Sequence, residues 1–288
     1  MIKFSILVLV ILLAACQTGA SSAIITPPAS ASLPSPTHTP LPTATEILTP
    51  TAIPSPTATE AVLLEELAST AFEVCSPLED ETLETLPEII THPLDIPGFG
   101  RDEGHHGVDF AYYRRGERES IEGIKIYAIL SGQVVVALDD DIPYGYTLLI
   151  ETPLADLPDT LQSQLMENYL PVPEDPHYRL YCPDVPQPRL SGEYSVYHLY
   201  AHMEIKPPFD RGERIECGQK LGTVGNTGRS SNPHLHLETR LGPAGAEFET
   251  MAHYENTNTY EQLGNYCLWR MSGYYQLFDP FVIFDAAQ

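Results

Sequence analysis

Residues 222–238 read GTVGNTGRSSNPHLHLE, a glycine-rich turn followed by alternating histidine and leucine. Alternate residues of a β-strand project from the same face, so His234 and His236 lie side by side while Leu235 and Leu237 face the core. On its own, a His-x-His pair also fits two surface histidines on an edge strand. Two adjacent imidazoles can instead share a metal, or one can bind it while the other acts beside it.

Further strands are predicted around this one. The candidates are short, β-branched or aromatic, and separated by Gly, Pro and Asp; they cover residues 126–130, 133–138, 146–151, 194–201 and 234–239. Helical apolar spacing predicts one short helix over residues 61–73. Residues 153–192 are rich in proline without a clear period, which indicates a long inserted loop. The predicted fold is therefore a mainly β protein with an antiparallel core.

Two other segments carry metal-ligand chemistry. His105 and Asp109 place an imidazole and a carboxylate four residues apart beside Gly107, which lets the chain bend. Two histidines and one carboxylate leave an open fourth position on tetrahedral zinc, as catalytic sites do. His106 is an alternative ligand to His105.

The third segment contains His202, in Tyr200-Ala201-His202. His198 is predicted to share a strand face with His202. It is interpreted either as a surface residue or as a further site residue.

Together, these motifs resemble those of the lysostaphin/LytM-type zinc endopeptidases. The resemblance runs from about residue 104 to residue 238 and rests on His105-x-Gly107-x-Asp109, Tyr200-x-His202, and Gly-Asn-Thr-Gly followed by His234-x-His236. It implies a β-rich core of the duplicated hybrid motif with a long substrate groove, and hydrolysis of peptide bonds in peptidoglycan.

The resemblance also implies residue roles. One zinc ion per chain is expected on His105, Asp109 and His236, while His202 and His234 line the site and take part in catalysis. Both suit proton transfer because imidazole titrates near neutrality, and the sequence does not choose between them as the base. Family members are often held latent by a segment that covers the zinc; within residues 61–98, His92 and Asp95 are the candidates for that role.

Three more residues are candidates for the site. Asn226 and Ser230 lie in the glycine loop, where they either contact substrate or shape the turn. Glu238 follows His236 by two residues on the same strand face and is a candidate to orient the metal-bound imidazole. The chain departs from the family at the 153–192 insertion and at Tyr144-Gly145-Tyr146, where the family often has Gly-Asn; both changes bear on the groove.

Charge excludes one class of partner. The net charge is −24. Residues 1–60 contain Lys3, Glu46 and Glu60, a net charge of −1, which leaves −23 on residues 61–288. Such an acidic body is not expected to bind nucleic acid, since affinity for phosphate backbones comes mainly from Lys and Arg. Recognition of an anionic polymer would have to be local.

The N-terminus predicts export. Residues 1–15 read as a signal peptide, and Leu13-Ala14-Ala15-Cys16 resembles the bacterial lipobox, whose cysteine is lipidated. Residues 16–60 form a Pro/Thr/Ser-rich disordered tether, residues 61–98 an N-terminal extension with the short helix, and residues 99–288 the peptidase domain with its 153–192 insertion. The protein is thus expected outside the cytoplasm, anchored to a bacterial membrane through Cys16.

The remaining cysteines predict disulfides in an exported protein. Four cysteines allow three pairings, and sequence does not choose among them; they are Cys75, Cys182, Cys217 and Cys267.

Three functions fit these features. The leading hypothesis is a membrane-anchored zinc endopeptidase acting on peptidoglycan peptides. The alternatives are a non-catalytic lipoprotein that binds or activates cell-wall enzymes, and a peptidase that acts on secreted proteins. All the expected histidine and aspartate positions are present, which favours the enzyme.

Overall fold

The computed structural model describes residues 72–172, 182–183 and 188–287. The strands, numbered in chain order, are β1 (Ile90–His92), β2 (Val108–Phe110), β3 (Lys125–Tyr127), β4 (Gly132–Asp141), β5 (Gly145–Pro153), β6 (Tyr194–Met203), β7 (Arg214–Ile215), β8 (Lys220–Thr223), β9 (Leu235–Pro243) and β10 (Gln276–Phe278). The α-helices are α1 (Asp159–Asn168), α2 (Tyr260–Arg270) and α3 (Phe281–Asp285), and two 3-10 turns cover Leu86–Ile89 and Leu154–Asp156.

One large sheet organises the described residues. Its strand order is β1-β2-β9-β6-β5-β4-β7, and β10 pairs with the far end of β9. Every pairing in it is antiparallel, and β3 and β8 form a separate antiparallel pair. The predicted mainly β, antiparallel fold is confirmed.

Strand β9 lies at the centre of this sheet and is buried along its whole length. Leu235, Leu237 and Leu241 pack into the larger apolar cluster on one face of the sheet. The opposite face carries His236 and, further along the strand, polar residues that face the site. This alternation follows the two-residue period of a strand, and it confirms that the leucines of the His-Leu-His-Leu segment face the core.

Most predicted strands are present with shifted ends. The segments predicted at 133–138, 146–151 and 194–201 lie within β4, β5 and β6. The segment predicted at 126–130 ends early, at Tyr127, because the next residue, Ala128, bonds instead to the loop before β8, accepting from Gly218 N. The segment predicted at 234–239 begins one residue later and continues to Pro243.

The prediction of a loop throughout residues 153–192 is wrong in part. Helix α1 occupies Asp159–Asn168, and its Leu161 and Leu165, four residues apart, are buried against the larger apolar cluster. Side chains four apart lie on the same helix face, so this pair fastens the helix to the domain. Residues 173–181 and 184–187 of the insertion, and residues 61–71 of the predicted N-terminal helix, lie outside the described residues.

Two disulfides resolve the pairing that sequence left open. Cys75 is bonded to Cys217, and Cys182 is bonded to Cys267. The second joins the insertion to helix α2, which begins with a capping box between Thr259 and Gln262. Among the described residues, no helix has the length and apolar character needed to cross a bilayer.

Candidate active site

His105 and Asp109 come together at the start of β2. The backbone of His105 is paired with that of Asp95, with N–O distances of 2.8 and 3.1 Å. The His105 Nδ1–H donates to the carbonyl of Pro93 at 2.9 Å, and its Nε2 lies 3.1 Å from Asp109 Oδ1. The carbonyl holds a proton on Nδ1, so Nε2, which faces the aspartate, is the nitrogen that a metal would bind.

His236 meets Asp109 across the sheet. The two residues are directly opposite each other in the β2–β9 pairing, and His236 Nδ1 lies 2.8 Å from Asp109 Oδ1. The other ring nitrogen, Nε2, lies 3.2 Å from Glu238 Oε1. Because both carboxylates only accept, each ring nitrogen carries a proton without the metal; Glu238 holds the proton on Nε2, and Nδ1, which faces Asp109, is the nitrogen that a metal would bind.

A bulge in β6 brings His202 to the same place. The β5–β6 register shifts between Tyr146 and Leu148, and His202 has a φ of 60°. A bulge with a left-handed residue reverses the faces to which the following side chains point. The Nδ1–H of His202 donates to Thr227 O at 2.8 Å.

His234 completes the group from the turn before β9. Its Nδ1 lies 2.8 Å from Asn232 O, and its Nε2 lies 3.4 Å from Asp109 Oδ1. The ring centroids of His202 and His234 are 4.6 Å apart. The structure therefore brings together the predicted metal ligands and both predicted catalytic histidines.

The donors at this centre suit zinc. Asp109 Oδ1 is within 3.1 Å of His105 Nε2 and 2.8 Å of His236 Nδ1, which gives two imidazoles and one carboxylate. Two other sets of possible ligands have their ligand atoms within 4.8 Å of one another. One set is His92, His105 and Asp109, and the other is His202, His234 and His236. We favour the set that shares the Asp109 oxygen, because the outer bonds of His105 and His236 free the nitrogens that face it.

Electrostatics keep the aspartate ionised. Burial raises the pKa of Asp109, but hydrogen bonds from His105 and His236 outweigh it and hold the pKa below its usual value. Burial lowers the pKa of His236, while Asp109 and Glu238 outweigh it and raise this pKa to about 9. A metal that binds His236 must therefore displace a proton.

A buried polar layer lies behind His236, centred on Glu238. Tyr144 Oη and Trp269 Nε1 donate to Glu238 at 2.8 and 3.0 Å, and Arg240 Nε donates at 2.9 Å. Glu238 is completely buried. Burial raises the pKa of its carboxyl, but Arg240 and His236 outweigh this and lower it well below the usual value. The predicted contact of Glu238 with His236 is thus present in the structure.

A family comparison bears on these residues directly. A family model described as Peptidase family M23 matches residues 189–248 of the chain. The match contains His202, His234 and His236, while His105 and Asp109 precede it. It confirms the resemblance to a peptidase family that the motifs predict.

Solved structures similar to parts of the chain were found at low identity. The catalytic domain of lysostaphin from Staphylococcus simulans is 17% identical, and the match covers 72% of this chain and 99% of that one with a TM-score of 0.36. The catalytic domain of the prophage-encoded M23 protein EnpA from Enterococcus faecalis, solved as a mutant, is 19% identical over 62% of this chain and 85% of that one, with a TM-score of 0.30.

Helicobacter pylori Csd3 is also 19% identical, over 59% of this chain, with a TM-score of 0.31. The match spans only 32% of the Csd3 chain. No curated protein matches the chain significantly.

Two histidines near the predicted site residues lie outside the site. His106, the alternative ligand, faces away from Asp109 and accepts from Arg240 Nη2 at 2.9 Å; burial lowers its pKa to about 2. His198 is fully buried between Thr152 and Tyr200, so its interpretation as a surface residue is wrong. The bulge in β6 interrupts the alternation of side chains between His198 and His202, so the two side chains point to opposite faces of the sheet.

The glycine loop of the M23 segment is held by its own polar side chains. Ser230 Oγ donates to Asn226 Oδ1 at 2.7 Å and lies 3.2 Å from His234 Nδ1. Thr227 Oγ1 donates to Met203 O at 2.7 Å and accepts from Tyr146 N at 3.0 Å. These contacts fit the turn-shaping role of Asn226 and Ser230, and they fix Thr227, whose carbonyl orients His202.

The pocket also contains residues that were not predicted as part of it. It has a volume of about 260 Å³, and beside the histidines and Asp109 it is lined by Tyr144, Arg229 and Arg270. His92, a candidate to cover the zinc, lines it too and stacks on His105 with ring centroids 3.8 Å apart.

Some residues around the site could have been found from sequence. Arg240 follows Glu238 by two residues, so strand alternation predicts that the two side chains share a face. Trp269 and Arg270 are on α2, far along the chain, and no local pattern marks them.

Gly107 supplies room for His236. A Cβ at this position would lie 2.8 Å from His236 Cε1 and 2.6 Å from Leu237 O, whereas its φ is not in the left-handed region. The glycine was predicted to allow a bend, but the structure requires it for this close approach.

Replacement of Gly107 by alanine is therefore expected to lower zinc affinity by roughly tenfold or more, because His236 must move off the aspartate. Competition with a chromogenic chelator measures this. Gly98→Ala is the control: the nearest atom to its added Cβ is Arg101 Cδ at 3.9 Å, an ordinary contact, and zinc affinity should not change. Equal affinity in Gly107→Ala and the parent would contradict the geometry.

Proposed function

We propose that this protein is a zinc-dependent metalloendopeptidase that hydrolyses peptide bonds in peptidoglycan. The observation that carries the proposal is the convergence of His105, Asp109 and His236 with His202 and His234 in one pocket. The match to peptidase family M23 supports the same reaction class.

Three residues would hold the metal. His105 would offer Nε2, His236 would offer Nδ1, and Asp109 would offer a carboxylate oxygen, since these atoms face each other. Zinc, when bound, supplies Lewis acidity that polarises the peptide carbonyl and lowers the pKa of water. The Pro93 carbonyl and Glu238 orient the two imidazoles from behind.

His202 and His234 are the proton-handling groups. In each, Nδ1 faces a backbone carbonyl, Thr227 O or Asn232 O, so Nδ1 keeps its proton and Nε2 has a lone pair. Burial lowers the pKa of His202 to about 3 and also lowers the pKa of His234. Both imidazoles are therefore neutral near pH 7 and can accept a proton, then return it to the departing amine.

The substrate assignment rests on the family resemblance and on the shape of the site. A second pocket of about 360 Å³ adjoins the first and shares His92, Asp109, Ser231 and His234 with it. The two pockets meet at the proposed metal centre, and we propose that together they hold an extended peptide. The peptides of peptidoglycan are the substrate class proposed for it.

The cellular setting is part of the proposal. Cys16 would carry a lipid, and residues 16–60 would tether the domain to a bacterial membrane on the extracytoplasmic side. The two disulfides are consistent with an oxidising compartment. Cell-wall enzymes are candidate partners, and nucleic acid is not expected to be one.

Metal removal and replacement test the proposal. The purified protein is expected to contain about one zinc per chain, to release peptides from purified peptidoglycan, and to lose that activity on chelation and regain it with zinc. His236→Ala, which removes a ligand, should remain metal-free and inactive.

A parent that stays metal-free in excess zinc, or that is loaded with zinc yet releases nothing from any peptidoglycan, would overturn the assignment. In the first case a non-catalytic binding module becomes the better account. In the second, digestion of secreted proteins becomes the next assay.

A further inference from the structure

Arg229 is the cation at the mouth of the site that lacks a partner of opposite charge. It lines the same pocket as Asp109, His202 and His234, and its side chain is exposed. Arg270, the other arginine of that pocket, is paired with Asp102 at 2.8 Å. Among the side chains that the structure describes, none forms an ion pair with Arg229, whose described contact is the ring of Tyr254.

Tyr254 provides a fixed platform for this guanidinium. The Arg229 Cζ lies 5.1 Å from the centre of the Tyr254 ring. Tyr254 has a φ of 75°, a left-handed conformation that is strained for a bulky residue. Its hydroxyl bonds to Asp102 and lies 3.0 Å from the hydroxyl of Tyr266. Strained residues persist where their surroundings over-determine them, and they cluster at ligand sites.

The contact between Arg229 and Tyr254 is a cation–π contact over the face of the ring. A ring below the plane of an arginine attracts its charge without using its N–H groups. The planar N–H fork matches a carboxylate, which it binds through two parallel hydrogen bonds. The backbone N–H of Arg229 bonds to Pro143 O at 2.8 Å, so the residue is also anchored at its base.

The charge of the whole protein makes such a local cation necessary for an anionic substrate. With a net charge of −23 on residues 61–288, the chain repels anions at long range. An anionic group can therefore be held only by a short-range contact, and Arg229 is placed to make one beside the metal centre.

We propose that Arg229, held on the ring of Tyr254, binds a carboxylate of the substrate peptide near the scissile bond and makes the enzyme prefer peptides that carry it. The inference rests on the proposed function. It deepens that function by naming the substrate class as carboxylate-bearing peptides. Free carboxylates on the side chains or ends of peptidoglycan peptides are the candidate groups.

The test compares two muropeptides that differ at one group. One is a cross-linked muropeptide with a free diaminopimelate carboxylate, and the other is the same muropeptide with that carboxylate amidated. Zinc-loaded parent is expected to cleave the free acid with a kcat/KM about tenfold higher, mainly through a lower KM. Calorimetric binding to the parent in the presence of chelator, where no cleavage occurs, should show a similar ratio of Kd values.

Variants separate recognition from structural damage. Arg229→Gln should lose the preference, so that it cleaves the two muropeptides with similar kcat/KM, and Arg229→Lys should retain part of it. Tyr254→Leu, which removes the ring, should weaken the preference several-fold, whereas Tyr254→Phe should keep most of it. Arg114→Gln, an exposed change of the same charge paired with Glu119 outside this pocket, is the control.

A preference that is absent in the parent, or unchanged in Arg229→Gln, would overturn the proposal. If the parent cleaves neither muropeptide, the proposed activity fails, and the Kd values still decide the role of Arg229. Tighter binding of the free acid that is lost in Arg229→Gln supports carboxylate recognition, and equal binding refutes it.

Discussion

Replacing Glu238 with alanine is expected to destabilise the metal-free protein by about 3–5 kcal/mol. The change leaves Arg240 and the indole N–H of Trp269 buried without the carboxylate that accepts from both. It also removes the acceptor for Nε2 of His236, so zinc affinity should fall by roughly 10–100-fold. Urea unfolding in the presence of chelator measures the first effect, and chelator competition measures the second.

Two variants control for this result. Glu238→Gln keeps the shape but places an amide N–H₂ among groups that all donate, so it should be destabilised by a smaller amount. Glu151→Gln changes a carboxylate on β5, two strands away from β9, that accepts from Tyr197 Oη and Gly245 N away from the metal centre. It should leave zinc affinity unchanged. A Glu238→Ala protein within about 1 kcal/mol of the parent would show that the buried network is not needed for stability.

The parts of this site that follow from local sequence were predictable. The two-residue period of a strand placed His234 and His236 together, their leucine neighbours in the core, and Glu238 on the face of His236. These relations depend only on backbone geometry within one strand. The resemblance to the family predicted that His105 and Asp109 join His236 at the metal site. Sequence spacing alone does not predict that they lie beside β9.

The same rule failed at His202 for a physical reason. Alternation along β6 predicted that His198 and His202 share a face, yet His198 is in the core and His202 is in the pocket. The cause is the bulge with its left-handed residue. A left-handed φ is uncommon for any residue other than glycine, so no local pattern marks it at a histidine. The backbone is held there by partners distant in sequence, including the bond from His202 N to Tyr144 O at 2.9 Å.

Residues that reach the site from distant segments of the chain could not be predicted from local sequence patterns either. Trp269 and Arg270 reach the site because α2 packs on the face of the sheet opposite the larger apolar cluster. That packing depends on the fold and on the Cys182–Cys267 bond, which sequence left as one of three pairings. Helix α1 was missed because only Leu161 and Leu165 form its buried face, between segments rich in proline.

Replacement of His202 with asparagine is expected to lower kcat by roughly 10²–10⁴-fold, the usual contribution of a positioned acid–base group. Asparagine tolerates the left-handed φ of 60° at this position better than alanine does, so the bulge should persist. It cannot transfer a proton as imidazole does. Zinc content should stay near one per chain. The ring nitrogens of His105 and His236 lie 3.1 and 2.8 Å from the proposed ligand Asp109, and His202 is not part of this proposed ligand set.

The controls decide whether the lost group is the imidazole itself. Added free imidazole should restore part of the activity of His202→Asn, while it should leave the parent unchanged, since only the variant has a space where the ring was. His234→Asn, measured in the same way, shows whether the two histidines contribute equally. Loss of zinc from His202→Asn would instead make His202 a ligand, in line with its closeness to His234 and His236. If the variant keeps its zinc and more than about a tenth of the parental kcat, His202 is not the acid–base group.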